Sequence, residues 1–284
     1  MEGSGYVIPA IDTKGKEVTN TMGEKIQART EVDNPKKAIV YPGVTTVLRV
    51  IDKPALQQWR PDCVAAKAVA NIDALLNRSP EEGYEYLRFA SDEARNDRAE
   101  IGTEIHSWIA ADLGFGFYPE VESHEVEQMI AVWETFRFEH DINPKWSERT
   151  LFNHSERVGG TGDLQADIDG IEDVLVDYKS SRHTYDDNFM QIAGLMNSET
   201  EVYELDRDVW YEGTFVKPKR GAIIHIRPDD YDTKGNFIPA FCKLEWMEEE
   251  DEPDFYEDFK HATGLAYGRY RRKQKERLRA KAAA

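Results

Sequence analysis

Residues 160 to 179 read GTGDLQADIDGIEDVLVDYK, a pattern typical of two β-strands joined by a tight turn. Asp169 and Gly170 form a dipeptide that favours a hairpin turn, and apolar residues follow it as in a buried strand. Asp177 and Lys179 stand two positions apart, so both side chains project from one face of the second strand. The stretch therefore predicts a hairpin within a sheet, with a carboxylate and an ammonium side by side near its end.

The register of this hairpin decides whether Asp163 and Asp177 meet. A two-residue Asp-Gly turn sets Asp163 opposite Val176 and puts the two acids on different faces, whereas an odd-length loop such as 169 to 171 sets Asp163 opposite Asp177. Directly opposed carboxylates destabilise a sheet unless a positive charge lies between them. Mg²⁺ would meet that need, because it prefers oxygen ligands. The alternative is a surface ion pair made by Lys179, with no metal.

The rest of the chain predicts helices on either side of further strands. We expect one α/β domain, 1–284, with a central mixed sheet flanked by helices. Its predicted parts are N-terminal strands and loops (1–53), a helical layer (54–140), a core sheet (145–246) and a charged C-terminal helix (253–284). Pro61 is expected to break or restart the first long helix. The strands predicted after the hairpin are RGAIIHIRP (220–228) and FIPAFCKLEW (237–246).

Composition is that of a globular protein, with 40% hydrophobic and 32% charged residues. No apolar run approaches the roughly 20 residues that span a bilayer. The N-terminus lacks the basic and apolar pattern of a secretory signal. Two cysteines, Cys63 and Cys242, are too few for a disulfide framework. These features predict a cytoplasmic protein with no membrane partner.

The net charge of −18 argues at first against nucleic acid, but the charge is uneven. An acidic run, 245–258, precedes a basic tail, 269–284, in which Glu276 is the single acid. A helix would place basic side chains of this tail along one side as a surface for phosphates. The residues predicted to bind nucleic acid are Arg271, Arg272, Lys275 and Arg279 in the tail, and Lys217, Lys219 and Arg220 before a strand. Alternatively, the acidic run simply pairs with the basic tail.

The order of these motifs resembles the PD-(D/E)xK nuclease superfamily, and within it the RecB-type and Cas4-like exonucleases, including those of phages. Across roughly residues 100 to 200, the resemblance rests on the segment GTEIH (102–106), GTGD ending at Asp163, DYK (177–179) and a helical Gln191. It implies a restriction-endonuclease-like fold. It also implies Mg²⁺, for which Mn²⁺ would substitute, as the cofactor. The Q-x-x-x-Y motif of many relatives has Leu195 in place of tyrosine, and two cysteines cannot hold the iron–sulfur cluster that some relatives carry.

Roles for single residues follow from that resemblance. The implied metal ligands are His106, Asp163, Asp177 and the carbonyl of Tyr178. Lys179 is the implied catalytic lysine and Gln191 anchors its helix or the DNA. Glu148, with Glu156 and Asp167 as rivals, would orient the lysine or bind metal through water. Each has a plain structural alternative, such as a core histidine for His106 or a surface glutamine for Gln191.

The resulting expectation is an Mg²⁺-dependent deoxyribonuclease that hydrolyses phosphodiester bonds at DNA ends or in single strands. Glycines Gly160 and Gly162 are expected to leave room for the substrate. A recombination or replication protein is an expected partner. Two other classes remain open: a non-catalytic DNA- or protein-binding module that keeps a nuclease fold, and an acidic DNA mimic suggested by the net charge.

Overall fold

The computed structural model of the protein describes residues 5–6, 41–206, 209–231 and 235–283. Most of the predicted N-terminal segment of strands and loops, 1–53, therefore lies outside the described residues. Within the described ranges, no helix has both the length and the apolar character that a membrane crossing needs.

Eight helices and eleven strands make up the described part of the chain. The helices are α1 (Val44–Leu48), α2 (Pro54–Ala70), α3 (Ile72–Leu76), α4 (Pro80–Leu87), α5 (Ala90–Asp112), α6 (His124–Glu139), α7 (Asp186–Met196) and α8 (Glu252–Ala283). The strands are β1 (Gly5–Tyr6), β2 (Tyr41–Pro42), β3 (Ile142–Asn153), β4 (Val158–Ile168), β5 (Ile171–Lys179), β6 (Thr200–Asp206), β7 (Val209–Thr214), β8 (Arg220–Arg227), β9 (Asp230–Tyr231), β10 (Phe237–Ile238) and β11 (Phe241–Trp246).

Seven strands form one mixed sheet in the order β11-β8-β5-β4-β3-β6-β7. β5 and β8 are parallel, and the other neighbours in this sheet are antiparallel. Helices α5 and α6 cover one face and α1, α7 and α8 cover the other. The central strand β5 gives Val174 and Val176 to the first face and Leu175 to the second, as expected of a strand buried on both sides. The predicted α/β class, with a central mixed sheet flanked by helices, is confirmed.

The turn between β4 and β5 is the two-residue one. Ile168 pairs with Ile171, which leaves Asp169 and Gly170 as the connecting residues. Their φ angles are 51° and 81°, and positive values at both positions define the type I′ turn that matches strand twist. Taken alone, this turn would put Asp163 and Asp177 on different faces.

A β-bulge corrects the register a few residues later. The pairing shifts between Ile168 and Ala166, and Ala166 then faces Val174. The extra residue on β5 is accommodated at Asp173, whose φ is 55°. Lys145 binds the carboxylate of Asp173 on β5 and also contacts the carboxylate of Asp167 on β4, at 2.6 Å. The turn and the bulge together give the odd-length connection that brings the two site aspartates level.

Three details differ from the sequence-based expectation. The sequence pattern predicts no strand between α7 and β8, yet β6 and β7 lie there and extend the sheet. Pro61 lies inside α2, which continues without a break, because an exposed helix can lose one backbone hydrogen bond to water. The segment 237–246 is two strands, β10 and β11, rather than one.

Candidate metal centre

The candidate site lies where β4 and β5 separate at the carboxyl end of β5. The last antiparallel pair toward this end joins Leu164 to Val176. One step further, the Tyr178 amide donates to Oδ2 of Asp163 at 2.8 Å, so a side chain takes the place of a backbone acceptor. This opening leaves the Asp163 carboxylate accessible to groups from the neighbouring elements.

Strand β3 places Glu148 beside that carboxylate. Ser147 pairs with Leu164 and Arg149 with Gly162, so Glu148 stands level with Asp163. The φ of Glu148 is 54°, an uncommon and costly conformation for a residue other than glycine. Backbone strain of this kind is concentrated at functional sites.

Helix α5 brings His106 to the site from the helical layer on the opposite face of the sheet from α7. A Cβ at Gly102 would lie 3.5 Å from the Ser180 hydroxyl, so the helix passes close to the end of β5. One turn later, Nδ1 of His106 lies 3.8 Å from Oδ2 of Asp163. The imidazole packs edge-on against the Tyr178 ring, with a centroid separation of 5.2 Å. The side chain of His106 remains 26% exposed and is therefore accessible from the opening.

His106, Glu148 and Asp163 form a possible ligand group for a cation. One donor atom from each lies within 4.8 Å of the others. Two carboxylates suit Mg²⁺ or Mn²⁺, and an imidazole is a ligand that transition metals accept readily. The donor set therefore fits a divalent cation with open positions for water or substrate. Glu148 occupies the position in this group that the resemblance assigns to Asp177.

The protonation of these groups reflects their crowding. Burial lowers the pKa of His106 to about 4, which leaves the imidazole neutral as a metal ligand must be. Glu148 is exposed overall, but burial around its carboxylate, and then Asp163 and Asp177, raise its pKa to about 8. Burial also raises the pKa of Asp163, although Lys179 and the Tyr178 amide oppose that shift. A cation would relieve the repulsion among these carboxylates.

Asp177 is held by the lysine and the glutamine rather than by the ligand group. Lys179 forms an ion pair with Oδ2 of Asp177, and Gln191 donates to Oδ1 at 2.8 Å. Lys179 also donates to Oε1 of Gln191 at 3.3 Å, which closes a three-membered network. The side chains of Asp177 and Lys179 are 4% and 19% exposed. Burial raises the pKa of Asp177 to about 6, whereas Asp177 and Asp163 outweigh burial and raise the pKa of Lys179.

The loop that follows Lys179 is tied down from β8 and β11. His225, which is level with Lys179 on the parallel neighbour β8, has Nε2 2.7 Å from the Ser181 carbonyl oxygen. Its Nδ1 lies 3.1 Å from Oε1 of Glu245, and Thr184 donates to the other oxygen of that carboxylate at 2.6 Å. No role for His225 is predicted from the sequence, because its partner Glu245 lies twenty residues away on another strand.

The two glycines of the GTGD motif do not leave room for substrate, contrary to expectation. A Cβ at Gly160 would lie 2.7 Å from the Leu195 side chain, and one at Gly162 would lie 2.9 Å from the Trp146 ring. Core side chains therefore fill the space above both glycines. Leu195, which replaces the tyrosine of the family pattern, is part of this core.

The first predicted nucleic-acid-binding patch, at Lys217, Lys219 and Arg220, lies apart from the ligand group. Arg220 pairs with Val174 at the start of β5, about 16 Å from Lys179 along the strand. The three basic residues of that patch face acids: Lys217 with Glu252, Lys219 with Glu172, and Arg220 with Glu248. The tail residues Arg271, Arg272, Lys275 and Arg279 are exposed on the last turns of α8.

The predicted rivals of Glu148 are placed elsewhere. Asp167 is 2.6 Å from Lys145 at the bulge, and Glu156 lies in the β3–β4 turn, where its amide donates to Asn153 at 2.9 Å. The structure thus brings together His106, Glu148, Asp163, Asp177, Tyr178, Lys179 and Gln191.

No protein-family model matches the sequence, and a comparison with curated proteins also finds no match.

Proposed function

We propose that this chain is a metal-dependent deoxyribonuclease of the PD-(D/E)xK type, with a restriction-endonuclease-like core, that acts on DNA ends or single strands. The observation that carries the proposal is the convergence of His106, Glu148 and Asp163 within 4.8 Å, next to the Asp177–Lys179 pair. An imidazole and two carboxylates beside a buried ammonium suit phosphoryl chemistry, where negative charge must be neutralised. Mg²⁺ or Mn²⁺ is the proposed cofactor.

The side chains have separable tasks in this proposal. A bound divalent cation would add positive charge near the scissile phosphate and lower the pKa of a water molecule. Lys179 supplies a second positive charge, since Asp177 and Asp163 keep its ammonium protonated despite burial. Gln191 fixes both partners of the ion pair through hydrogen bonds of 2.8 and 3.3 Å. Positioning of this kind lowers the reorganisation that the transition state requires.

The helices before the sheet support a preference for DNA ends. Lys53, which immediately precedes α2, forms an ion pair with Asp187 on α7, one turn before Gln191. At the other end of this helical segment, α5 passes close to Ser180 at the end of β5. Helices α3 and α4, between these two attachment points, have no buried residue. A segment that is attached on both sides of the site and keeps α3 and α4 outside the core is suited to exclude an uninterrupted duplex.

The test is digestion of end-labelled linear DNA, single- and double-stranded, with Mg²⁺ or Mn²⁺, beside a closed circle. We expect metal-dependent loss of the linear substrates and a slower loss of the circle. Lys179→Ala and Asp163→Asn should abolish it, and Lys260→Ala, which removes a cation of α8 paired with Glu257, should not. Circular dichroism of each variant separates loss of activity from loss of fold.

Two results would reject the proposal. Inactivity of the folded wild-type protein with each metal would favour a non-catalytic binding module. Failure to bind Mg²⁺ or Mn²⁺ at all would favour an acidic mimic, since a mimic has no need of a ligand group. Cutting of the circle as fast as the linear DNA would keep the nuclease activity but reject the preference for ends.

A further inference from the structure

Two surface segments lie beside the carboxyl end of β5, and their aromatic rings have no part in the site described above. The first is the loop 180–185, which connects Lys179 to α7. The second is the β9–β10 hairpin, which begins three residues after Arg227 at the end of β8. Because β8 runs parallel to β5 and His225 is level with Lys179, this hairpin projects past the same end of the sheet.

Both segments present aromatic rings to solvent. Tyr185 is 43% exposed, Tyr231 61% and Phe237 57%. Tyr231 and Phe237 contact each other across the hairpin, with ring centroids 5.6 Å apart. Tyr185 lies 6.2 Å from the ring of His183 in a perpendicular arrangement. We call Tyr185, Tyr231 and Phe237 the aromatic rim.

The aromatic rim is held in place rather than left on free loops. Arg182 donates to the Tyr231 carbonyl and lies 3.4 Å from the Asp230 carboxylate, which joins the loop to the hairpin. The Ser181 carbonyl contacts His225 on β8, and the Thr184 hydroxyl donates to Glu245 on β11. Tyr185 is also the residue before α7, and its amide donates to Oδ1 of Asn188 at 3.0 Å. The backbone that carries these rings is held in this way, so little backbone freedom is lost when a flat ligand stacks on them.

The position of Tyr185 suits a ligand that continues away from the metal centre. Tyr185 precedes Gln191 by six residues of helix, which is about 9 Å along the axis. Stacked nucleotides follow each other at about 3.4 Å, so two or three of them cover that distance.

The charge distribution explains why stacking matters for this chain. The chain carries −18, and the basic patch at Lys217 to Arg220 lies at the far end of β5 against acids. Two cations beside the aromatic rim are themselves paired with acids, Arg182 with Asp230 and Lys243 with Glu245. Outside the candidate metal centre, the attraction for phosphate at this end of the sheet is therefore weak. Base stacking on aromatic rings does not depend on net charge and is tolerant of sequence.

We propose that the aromatic rim binds the bases of a single-stranded nucleic acid whose adjoining phosphodiester lies at the candidate metal centre. The inference rests on the proposed nuclease function and specifies its substrate as an unpaired strand. In a duplex the bases are paired and stacked on each other, so their faces are not available to these rings.

The experiment measures binding without cleavage, by fluorescence anisotropy in EDTA and again with Ca²⁺. The probes are a labelled single-stranded oligonucleotide, its duplex, and a strand of the same length with abasic sites, which keeps the phosphates and lacks the bases. The proteins are the wild type, the double variant Tyr231→Ala with Phe237→Ala, and Phe138→Ala. Phe138 is 93% exposed on α6, outside the aromatic rim, and so controls for loss of a surface aromatic.

We expect the double variant to bind the single strand more weakly by about fivefold to 150-fold for each base that loses its ring. Phe138→Ala should bind as the wild type does, and the abasic strand should bind wild type and double variant equally. Tyr231→Trp, which keeps a ring at the position, should retain affinity and shows that a loss in the alanine variant is not misfolding.

Other outcomes overturn the inference in distinguishable ways. Equal binding of the single strand by wild type and double variant would overturn the inference and leave the nuclease proposal standing. An equal loss on the abasic strand would show that the rings do not act through bases. Wild-type protein that binds no probe and digests no DNA would reject both proposals together.

Discussion

The buried pair of Asp177 and Lys179 gives a prediction about the charge of the two side chains. Variants that leave one of them charged should differ in stability from a variant in which both are neutral. We consider Asp177→Ala, Lys179→Met and the double variant Asp177→Asn with Lys179→Met. Removing the carboxylate leaves an ammonium that is 19% exposed without its partner. Loss of one member of a buried ion pair costs about 3–5 kcal/mol, and we expect Asp177→Ala to lie in that range.

Lys179→Met should behave differently because Asp177 can take up a proton. Burial already raises the pKa of Asp177 from 3.8 to about 6 beside the lysine, and removing the ammonium raises it further. The folded chain then holds a proton that the unfolded chain releases, so stability is lost as pH rises toward the folded pKa. Below about pH 6 both wild type and variant carry this proton, and the stability difference between them is constant. Above that pH only the variant carries it, and the difference grows by about 1.4 kcal/mol for each pH unit.

The assay is urea unfolding in EDTA at several pH values between pH 5 and pH 8, followed by tyrosine and tryptophan fluorescence. Lys217→Met is the matched control, because its ion pair with Glu252 is 50% exposed on the lysine side and should change stability by at most about 1 kcal/mol at any pH. The double variant should recover most of the loss, since no buried charge remains at either position. A Lys179→Met difference that stays level from pH 5 to pH 8 would refute the reasoning, as it would mean that Asp177 does not gain a proton.

Three further predictions concern the ligand group and the core. Calorimetry with Mn²⁺ should show binding that His106→Ala weakens at least about tenfold. Because the pKa of Glu148 is raised to about 8, binding at pH 7 should release protons that Glu148→Gln no longer releases. Gly194→Ala should destabilise the fold by about 1–3 kcal/mol, since the new Cβ would lie 2.7 Å from the Phe259 ring. Gly264→Ala is its helical control, where a Cβ meets nothing within 4 Å, and should stabilise by up to about 1 kcal/mol; equal effects of the two glycine changes would contradict the packing argument.

Much of the central sheet is predictable from the sequence because its signals are local. The alternation around Asp169 and Gly170 indicates the β4–β5 hairpin, and the apolar run of β5 indicates a strand buried on both faces. The sequence does not indicate strands β6 and β7, because they lie toward one edge of the sheet, where acids such as Glu201 and Glu204 interrupt the apolar pattern.

The sequence predicts which residues belong to the candidate site, but it does not predict which of their side chains contact each other. Nothing in the sequence indicates that Gln191 and Lys179 together hold Asp177, because those contacts depend on how α7 packs against β5. Nor does the sequence indicate the φ of 54° at Glu148, which depends on the pairing of β3 with β4. Long-range packing, rather than any local propensity, therefore decides which three residues form the ligand group.

The bulge at Asp173 has a consequence for recognising distant relatives of this chain. Between the pairs Ile168–Ile171 and Ala166–Val174, two residues of β5 face one residue of β4. If Asp173 were deleted, one residue would face one, and a regular two-residue hairpin would still set Ala166 opposite Val174. Such a chain would keep its two aspartates level while the number of residues between them changed by one. A search pattern with a fixed spacing between these aspartates would overlook it, and a pattern that permits a gap of one residue at the bulge would find it.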